Sequence, residues 1–216
     1  MNKHNAKRAY LSKEIAKKYE KERFSYFIGK IIDRMERSSV IAALKLCGAN
    51  KGDIICDIAC GTGRISETLI ESGFNVIGID YSFQMLSEAK RKKLILENVK
   101  GLVAMDASEM ALKNKSLDFT VSMRFFGHIP KEHRLRILKE ILRISKRNMI
   151  IAYYSFFSLH TLYRFIRFIT TGKFYGYTVT KRSLEKEVGL AGLKIKKIIP
   201  MMRFIHQGWI VILEHV

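Results

Sequence analysis

Short apolar runs alternate with segments of helical periodicity through the middle of the chain. The apolar runs lie at residues 53–58, 74–80, 99–105, 117–123 and 148–154. Between them, apolar residues recur at helical spacing at residues 65–72, 84–97 and 131–145. Strict alternation of strand and helix is typical of a parallel sheet joined by right-handed crossovers. The pattern therefore predicts an α/β fold.

Both flanks add further elements to this core. Residues 11–46 have the apolar spacing of two or more amphipathic helices. After the fifth strand the pattern predicts helices at residues 155–170 and 181–191, followed by a terminal β-pair at residues 194–199 and 205–214. We predict a single doubly wound, mostly parallel seven-stranded sheet with helices on both faces, an N-terminal helical extension and a helical insertion after the fifth strand.

The length of 216 residues suits one sizeable hydrophobic core. We therefore expect a single domain over residues 1–216. Its parts are the N-terminal helices at residues 1–50, a central α/β core at 51–154, inserted helices at 155–191 and the terminal β-pair at 192–216.

Positive charge is concentrated in the two flanks. The chain has 39 Lys and Arg residues against 20 Asp and Glu residues, a net charge of +19. Residues 51–130 are balanced, with 10 basic and 10 acidic residues, whereas residues 1–50 carry 12 and 5 and residues 131–216 carry 17 and 5. This distribution favours an anionic partner for the flanks.

The cysteines and the N-terminus indicate a reducing compartment. Cys47, Cys56 and Cys60 are an odd number, and no two of them have the spacing of a metal knuckle. We expect structural thiols and no bound metal. The charged N-terminal segment is unlike a secretory signal. We expect a cytoplasmic protein, with the inner face of a membrane as an alternative location.

The sequence ICDIACGTGR at residues 55–64 joins the first predicted strand to the first crossover helix. Gly61 and Gly63 let a ligand approach the backbone at the carboxyl end of the sheet, where open α/β sheets bind ligands. A dinucleotide site is disfavoured, because Ser66 stands where its fingerprint has a third glycine. Asp57 is also unsuited to a phosphate, because a carboxylate repels an anion and attracts a cation.

This motif resembles the first motif of class I S-adenosylmethionine-dependent methyltransferases, and the resemblance continues through residues 51–147. It implies S-adenosyl-L-methionine as the cofactor of the central core. The family has an acidic residue at the end of the second strand that holds both ribose hydroxyls, and Asp80 in VIGIDYS matches it. The resemblance also places Tyr81 and Met85 on either side of the adenine.

Other cofactor contacts follow from the same resemblance. Asp106 is implied near the adenine amino group, with the backbone of residues 105–107 near the ring. The cofactor-binding residues implied in this way are Tyr19, Asp57, Ala59, Gly61, Gly63, Asp80, Tyr81, Met85, Met105, Asp106, Ala107 and Arg124.

The sequence departs from the family pattern at three places. Ala59 stands where glycine is usual in the first motif, and Gly127 stands where many small-molecule members have an acidic residue before the histidine. The fourth strand ends in Ser-Met-Arg-Phe at residues 122–125. That ending differs from the Asn/Asp-Pro-Pro-aromatic signature of enzymes that methylate exocyclic base nitrogens, so such a reaction is disfavoured.

The resemblance places His128 opposite the methyl group. A histidine titrates near neutrality and can take the proton of a hydroxyl acceptor. Alternatively, His128 closes the cofactor pocket without exchanging protons. Arg124 is expected at the methionyl carboxylate or at an anionic acceptor, with a solvated loop charge as the alternative. Tyr19 is expected over the methionine end from an N-terminal helix, or in helical core packing.

The acceptor is expected between the N-terminal helices and the inserted helices. Residues 155–177 interleave eight aromatic residues with Arg164, Arg167 and Lys173. This segment is compatible with a lid on an anionic membrane that delivers a lipid-linked acceptor, with RNA binding, or with a cap over a small anionic metabolite. We expect methyl transfer to an oxygen nucleophile of a small-molecule or lipid-linked acceptor. RNA methylation and a non-catalytic cofactor-binding scaffold remain alternatives.

Overall fold

A computed structural model describes residues 12–158, 176–201 and 208–216, without the side chains of Lys21, Arg23 and Phe24. Its centre is a seven-stranded sheet in the order β3-β2-β1-β4-β5-β7-β6. The strands are β1 (Ile54–Ile58), β2 (Asn75–Asp80), β3 (Gly101–Ala104), β4 (Phe119–Ser122), β5 (Met149–Tyr154), β6 (Leu193–Pro200) and β7 (Gly208–His215). The first five are parallel, and β7 runs antiparallel to both β5 and β6. The predicted mostly parallel sheet is confirmed.

Seven α-helices surround this sheet in the described residues. They are α1 (Lys13–Phe24), α2 (Phe27–Leu46), α3 (Arg64–Glu71), α4 (Phe83–Ala89), α5 (Lys93–Asn98), α6 (Lys131–Ile144) and α7 (Lys181–Leu190). One short 3-10 helix, Phe126–His128, follows β4. The N-terminal helical extension predicted from the sequence corresponds to α1 and α2.

The sheet is covered on both faces because its central strands are apolar on both sides. In β1 the buried Ile55 joins the cluster that contains Val40 and Leu44 of α2, whereas the buried Cys56 joins the cluster that contains Ile137 of α6 and Leu184 of α7. Strands buried on both faces are characteristic of parallel sheets covered by crossover helices.

The two edge strands of the sheet differ from the apolar central strands: β6 carries exposed lysines, and β3 is short. β6 lies at one end of the strand order and carries Lys194, Lys196 and Lys197, all three of them exposed. β3 lies at the other end and is four residues long.

The single helix expected at residues 84–97 is wrong. The structure has two helices, α4 and α5, and between them Lys92 has extended backbone angles. The Lys92 ammonium binds Glu20 of α1 at 2.7 Å and Glu67 of α3 at 2.8 Å. The break also turns α5 so that Ile95 packs on Gly63, where an added Cβ would lie 2.2 Å from the Ile95 Cδ1 atom. Tertiary contacts therefore override the helical periodicity.

The helix expected at residues 155–170 falls mainly outside the described residues. Its first part is not helical, because Ser155 forms a parallel bridge to Val179 and residues 156–158 are bends. Residues 159–175 are outside the described ranges, as are residues 202–207, which include the first three residues of the final predicted strand.

Candidate functional site

The strand order reverses between β1 and β4, which are hydrogen-bonded neighbours. The helix that follows β1 covers one face and the helix that follows β4 covers the other, so a crevice remains at the carboxyl ends of these two strands. A cavity of about 340 Å³ opens there, with Ala59 and Gly61 from β1's loop and Met123 from β4's loop in its wall. This size suits a small molecule.

The loop after β1 is held in an unusual backbone conformation. Ala59, Gly61 and Gly63 have φ angles of +58°, +58° and +78°. Glycine adopts such angles without steric cost, whereas a residue with a Cβ is strained there. The Gly61 requirement is thus conformational, the Gly63 requirement is both conformational and steric, and Ala59 bears backbone strain at the cavity wall.

Asp80 fixes this loop from the end of β2. One carboxylate oxygen accepts the Gly61 backbone N–H at 2.8 Å, and the other accepts the Ser82 backbone N–H at 2.8 Å. Burial raises the pKa of Asp80, while these two hydrogen bonds act to lower it. The side chain also lines the cavity, so the same carboxylate orders the loop and faces the ligand space.

The opposite wall comes from the segments after β2 and β3. Tyr81 and the buried Met85 contribute apolar surface, and Ser82 caps α4 by accepting the Met85 backbone N–H. After β3, the Asp106 carboxylate accepts both the backbone N–H and the hydroxyl of Ser108. An apolar slot with a carboxylate at its edge can hold a planar, amine-bearing ring.

His128 lies on the cavity wall in the 3-10 helix after β4. Its ring meets the Tyr154 ring edge-on, with 6.2 Å between the ring centroids. The Tyr154 ring also explains Gly127, because an added Cβ at Gly127 would lie 2.1 Å from it. No acidic side chain can therefore occupy position 127 with this packing. The Gly127 carbonyl accepts the backbone N–H of Tyr177, a further cavity residue.

Helix α1 contributes Tyr19 to the cavity wall. Glu20 holds α1 over the loop after β1, residues 59–63, which we call the glycine loop. The Glu20 carboxylate accepts the Thr62 hydroxyl at 2.5 Å and the Lys92 ammonium at 2.7 Å. Thr62 belongs to the loop itself, so α1 and the loop are linked directly.

Asp57 lies beneath the cavity rather than on its wall. Its side chain is buried within β1, and Ser66 Oγ donates to it at 2.7 Å. Burial raises the pKa of Asp57 to about 7, although the Ser66 hydrogen bond and the charge of Arg64 act in the opposite direction. An attraction of Asp57 for a bound cation would thus act through the loop and not by contact.

Sequence reasoning missed the buried carboxylate of Glu36 in α2. It accepts Arg64 Nη2 at 2.6 Å and Arg124 Nε at 2.8 Å. Burial alone would lower the pKa of Arg124, but the Glu36 charge raises it overall. Arg124 has a φ of +55° and lines the cavity. Its Nε is therefore committed to Glu36, while Arg64 is paired with both Glu36 and Asp33.

The predicted site residues fall into two groups. Asp57 and Gly63 are not part of the cavity wall: Asp57 is buried in β1, and Gly63 is the N-cap of α3. The cavity wall includes all the others, namely Tyr19, Ala59, Gly61, Asp80, Tyr81, Met85, Met105, Asp106, Ala107, Arg124 and His128. Sequence reasoning did not find the cavity residues Ile129 and His133, since they carry no motif, whereas Tyr177 belongs to the aromatic segment 155–177 that it assigned to the acceptor. In the described ranges, no group of three His, Cys, Asp or Glu side chains could hold a metal ion.

Comparison with known proteins gives a partial match in sequence. Residues 55–148 match the family described as the methyltransferase domain. The chain is 31% identical over 134 residues to a demethylmenaquinone methyltransferase of Beutenbergia cavernae, covering 62% of this chain and 51% of that protein. It is 27% identical over 118 residues to a magnesium-protoporphyrin O-methyltransferase of Synechocystis sp., covering 53% and 50%. The chain thus spans about half the length of these curated relatives.

The structural match extends further. The crystal structure of a magnesium protoporphyrin IX methyltransferase from Synechocystis, solved with bound SAH, superposes with a TM-score of 0.81 at 20% identity, over the whole length of both chains. A likeness at this level of identity establishes the shared fold.

The buried pairing of Glu36 has a measurable effect on stability. Glu36→Gln should lower the free energy of unfolding by about 3 kcal/mol, because the partly buried Arg124 cation loses its counter-charge and the buried Arg64 cation loses one of its two. Urea denaturation measures this loss. Asp33→Asn is the matched control: Asp33 is half-buried and also binds Arg64, so its loss should be about 1 kcal/mol or less. Equal losses in both variants would contradict the role assigned to Glu36.

The raised pKa of Asp57 predicts a pH-dependent difference. Between about pH 4 and the native pKa of about 7, the unfolded chain has lost this proton while the native chain retains it, so the free energy of unfolding falls as pH rises. Asp57→Asn lacks this titration. The free energy of unfolding of the variant, relative to that of the wild type, should therefore increase with pH across this window. Above about pH 7 the difference between the two should be constant. A gap that does not change with pH in urea denaturation would count against this assignment.

Proposed function

Since the chain carries a class I S-adenosylmethionine-dependent methyltransferase domain, we propose that it transfers the methyl group of S-adenosyl-L-methionine to a small organic acceptor. The observation that carries this proposal is Asp80, whose carboxylate fixes the glycine loop and faces the cavity at the carboxyl end of the sheet. A titration of the protein with S-adenosyl-L-methionine and with its demethylated product tests binding directly.

The residues around the cavity fit this cofactor chemically. A carboxylate at Asp80 can accept hydrogen bonds from a ribose diol, and Tyr81 and Met85 offer the apolar surface that an adenine needs. Asp106 lines the same cavity, and its carboxylate can accept a hydrogen bond from an exocyclic amine. Tyr19 and Arg124 also line the cavity, and we propose that they contact the amino acid end of the cofactor.

The bound cofactor supplies a methyl group activated by a positively charged sulfur. The protein's own contribution is alignment and exclusion of water, which together supply several kcal/mol of a displacement barrier. Tyr19 closes the cavity from α1. His128 lines the cavity, and we propose it as the general base that takes the proton of a hydroxyl acceptor. In the alternative role, His128 shapes the pocket wall through its contact with Tyr154.

We propose an oxygen nucleophile on a small-molecule or lipid-linked acceptor. One relative is a magnesium-protoporphyrin O-methyltransferase and another a demethylmenaquinone methyltransferase, both named for organic acceptors. The basic flanks favour an anionic acceptor, although residues 159–175 of the predicted lid lie outside the described ranges. RNA methylation and a cofactor-binding scaffold without catalysis are the competing functions.

One experiment separates these acceptor classes. The protein is incubated with methyl-labelled cofactor and cell extract, and the label is then measured in the small-molecule, lipid and RNA fractions. Label in the small-molecule or lipid fraction supports the proposal, whereas label confined to RNA supports the alternative. Cofactor binding without any transfer would indicate the scaffold function.

Asp80→Asn should weaken cofactor binding by about 1.5–3 kcal/mol, the range of a hydrogen bond to a charged group. Isothermal titration calorimetry measures the affinity. Asp118→Asn is the control. The Asp118 carboxylate also accepts a backbone N–H, that of Ile54, at 2.8 Å, but this contact lies at the amino ends of β1 and β4, away from the cavity. It should bind the cofactor like the wild type. Unchanged affinity in a folded Asp80→Asn variant would remove the central contact of the proposal.

His128→Ala should lower turnover by about a hundredfold or more and leave cofactor affinity nearly unchanged, as expected for a general base. Label incorporation from extract gives the turnover, and calorimetry gives the affinity. His133→Ala is the comparison, since His133 also lines the cavity, from α6; it should retain most of the turnover. A loss confined to cofactor affinity would assign His128 to pocket closure instead.

A further inference from the structure

Four large apolar side chains are exposed where α1 meets α2. Tyr26, Phe27 and Ile28 are consecutive and are 71%, 78% and 69% exposed, and Ile31 lies one turn further along α2 with 40% exposure. We call these four residues the α1–α2 tip. Clustered exposure of this kind marks a binding surface, because apolar residues on a soluble surface are usually scattered.

Both helices that meet at the tip carry exposed cations. Lys17 and Lys18 of α1 and Lys30 and Arg34 of α2 are all exposed, and none of them forms an ion pair within the described residues. The acidic residues of these helices are mostly occupied elsewhere: Glu20 binds Lys92, Asp33 binds Arg37 and Arg64, and Glu36 binds Arg64 and Arg124. The surface around the tip is therefore both apolar and cationic.

The tip lies on the side of the molecule where the cavity opens. Glu36 of α2 reaches Arg124 at the carboxyl end of β4, whereas the later residues Val40 and Leu44 pack on one face of the sheet. Since α2 rises about 1.5 Å per residue, Phe27 extends roughly 13 Å beyond the level of Glu36. The tip therefore projects past the carboxyl edge of the sheet, next to the α1 helix that carries Tyr19.

We propose that the α1–α2 tip docks on an anionic lipid bilayer. The apolar side chains enter the interface between headgroups and acyl chains, and Lys17, Lys18, Lys30 and Arg34 contact the anionic headgroups. The cavity then opens towards the membrane surface. Docking itself does not require catalysis, but its use for an acceptor that dissolves in lipid rests on the proposed function.

Charge argues for a lipid surface over the other occupants. A second copy would bring the same cations against the tip. Residues 1–11 and 159–175 of this chain contain six Lys and Arg residues and no acidic residue, so neither segment supplies a counter-charge. No helix in the described ranges is long and apolar enough to cross a membrane.

Sedimentation with vesicles tests the proposal on the full chain. The protein should bind vesicles of phosphatidylcholine mixed with phosphatidylglycerol, bind vesicles of phosphatidylcholine much more weakly, and dissociate as salt rises. Lys30→Glu with Arg34→Glu should reduce the partition coefficient about twentyfold or more, since each cation near the surface contributes about fivefold. Tyr26→Ser with Phe27→Ser and Ile28→Ser should reduce it at least tenfold.

Matched variants separate docking from general effects of charge and hydrophobicity. Lys139→Glu with Lys186→Glu makes the same charge change on exposed residues of α6 and α7, and Leu96→Gln with Leu190→Gln removes two other exposed apolar side chains. Both controls should bind vesicles nearly as well as the wild type. All variants should keep the wild-type cofactor affinity, so failure of docking is distinguishable from failure of the proposed function.

A local probe completes the test. Phe27→Trp in a Trp209→Phe background leaves one tryptophan in the chain, at the tip. Its emission should shift to the blue on addition of the anionic vesicles. The proposal is overturned by absence of vesicle binding, by equal binding of the tip variants and the wild type, by an unshifted tryptophan in bound protein, or by self-association through the tip that vesicles do not relieve.

Discussion

A carboxylate that is removed from water needs a counter-charge, and Glu36 has two. Its partners come from separate parts of the chain: Arg64 begins the helix after the glycine loop, and Arg124 follows β4. One buried side chain therefore joins the N-terminal extension to both strands that border the cavity. Since removing one partner of such a buried group is costly, the relative placement of α2, the glycine loop and the His128 segment depends on this contact.

The glycine loop after β1 is also held by two further carboxylates. Asp80 accepts the Gly61 N–H, and α1 contributes Glu20, which accepts the Thr62 hydroxyl. A loop whose backbone angles are strained at Ala59 needs such ties, because the surrounding structure must hold the unfavourable conformation. The cavity wall is thus ordered before any ligand arrives, which reduces the entropy that binding must overcome.

The sequence predicts the sheet and most of the cavity wall for a simple reason. In a parallel sheet the carboxyl ends of all strands lie on the same side, so residues at or after the ends of β1, β2, β3 and β4 must come together there, and Asp80, Asp106 and His128 do so. Strand and helix periodicity is enough to count these ends. Asp57 differs, because its position within β1, not after it, puts its side chain under the cavity.

The features that the sequence did not predict depend on long-range contacts. The break between α4 and α5 interrupts an apolar spacing that continues through it, and the salt bridges of Lys92 to α1 and α3 are invisible in local periodicity. Glu36 did leave a signal. It stands between Ile32 and Val40 on the apolar stripe of α2, and an acidic residue on a buried helical face requires a buried cationic partner.

Part of the excess of basic over acidic residues lies on the edge strand β6, where its effect does not depend on a ligand. In the described part of the chain β6 ends the sheet, so its outer N–H and C=O groups offer a template to any other extended strand. Lys194, Lys196 and Lys197 crowd that template with charge, and a second copy approaching edge to edge would meet the same three cations. β3 limits the opposite edge by being short. The sheet is thereby protected from growing into an intermolecular aggregate at either end.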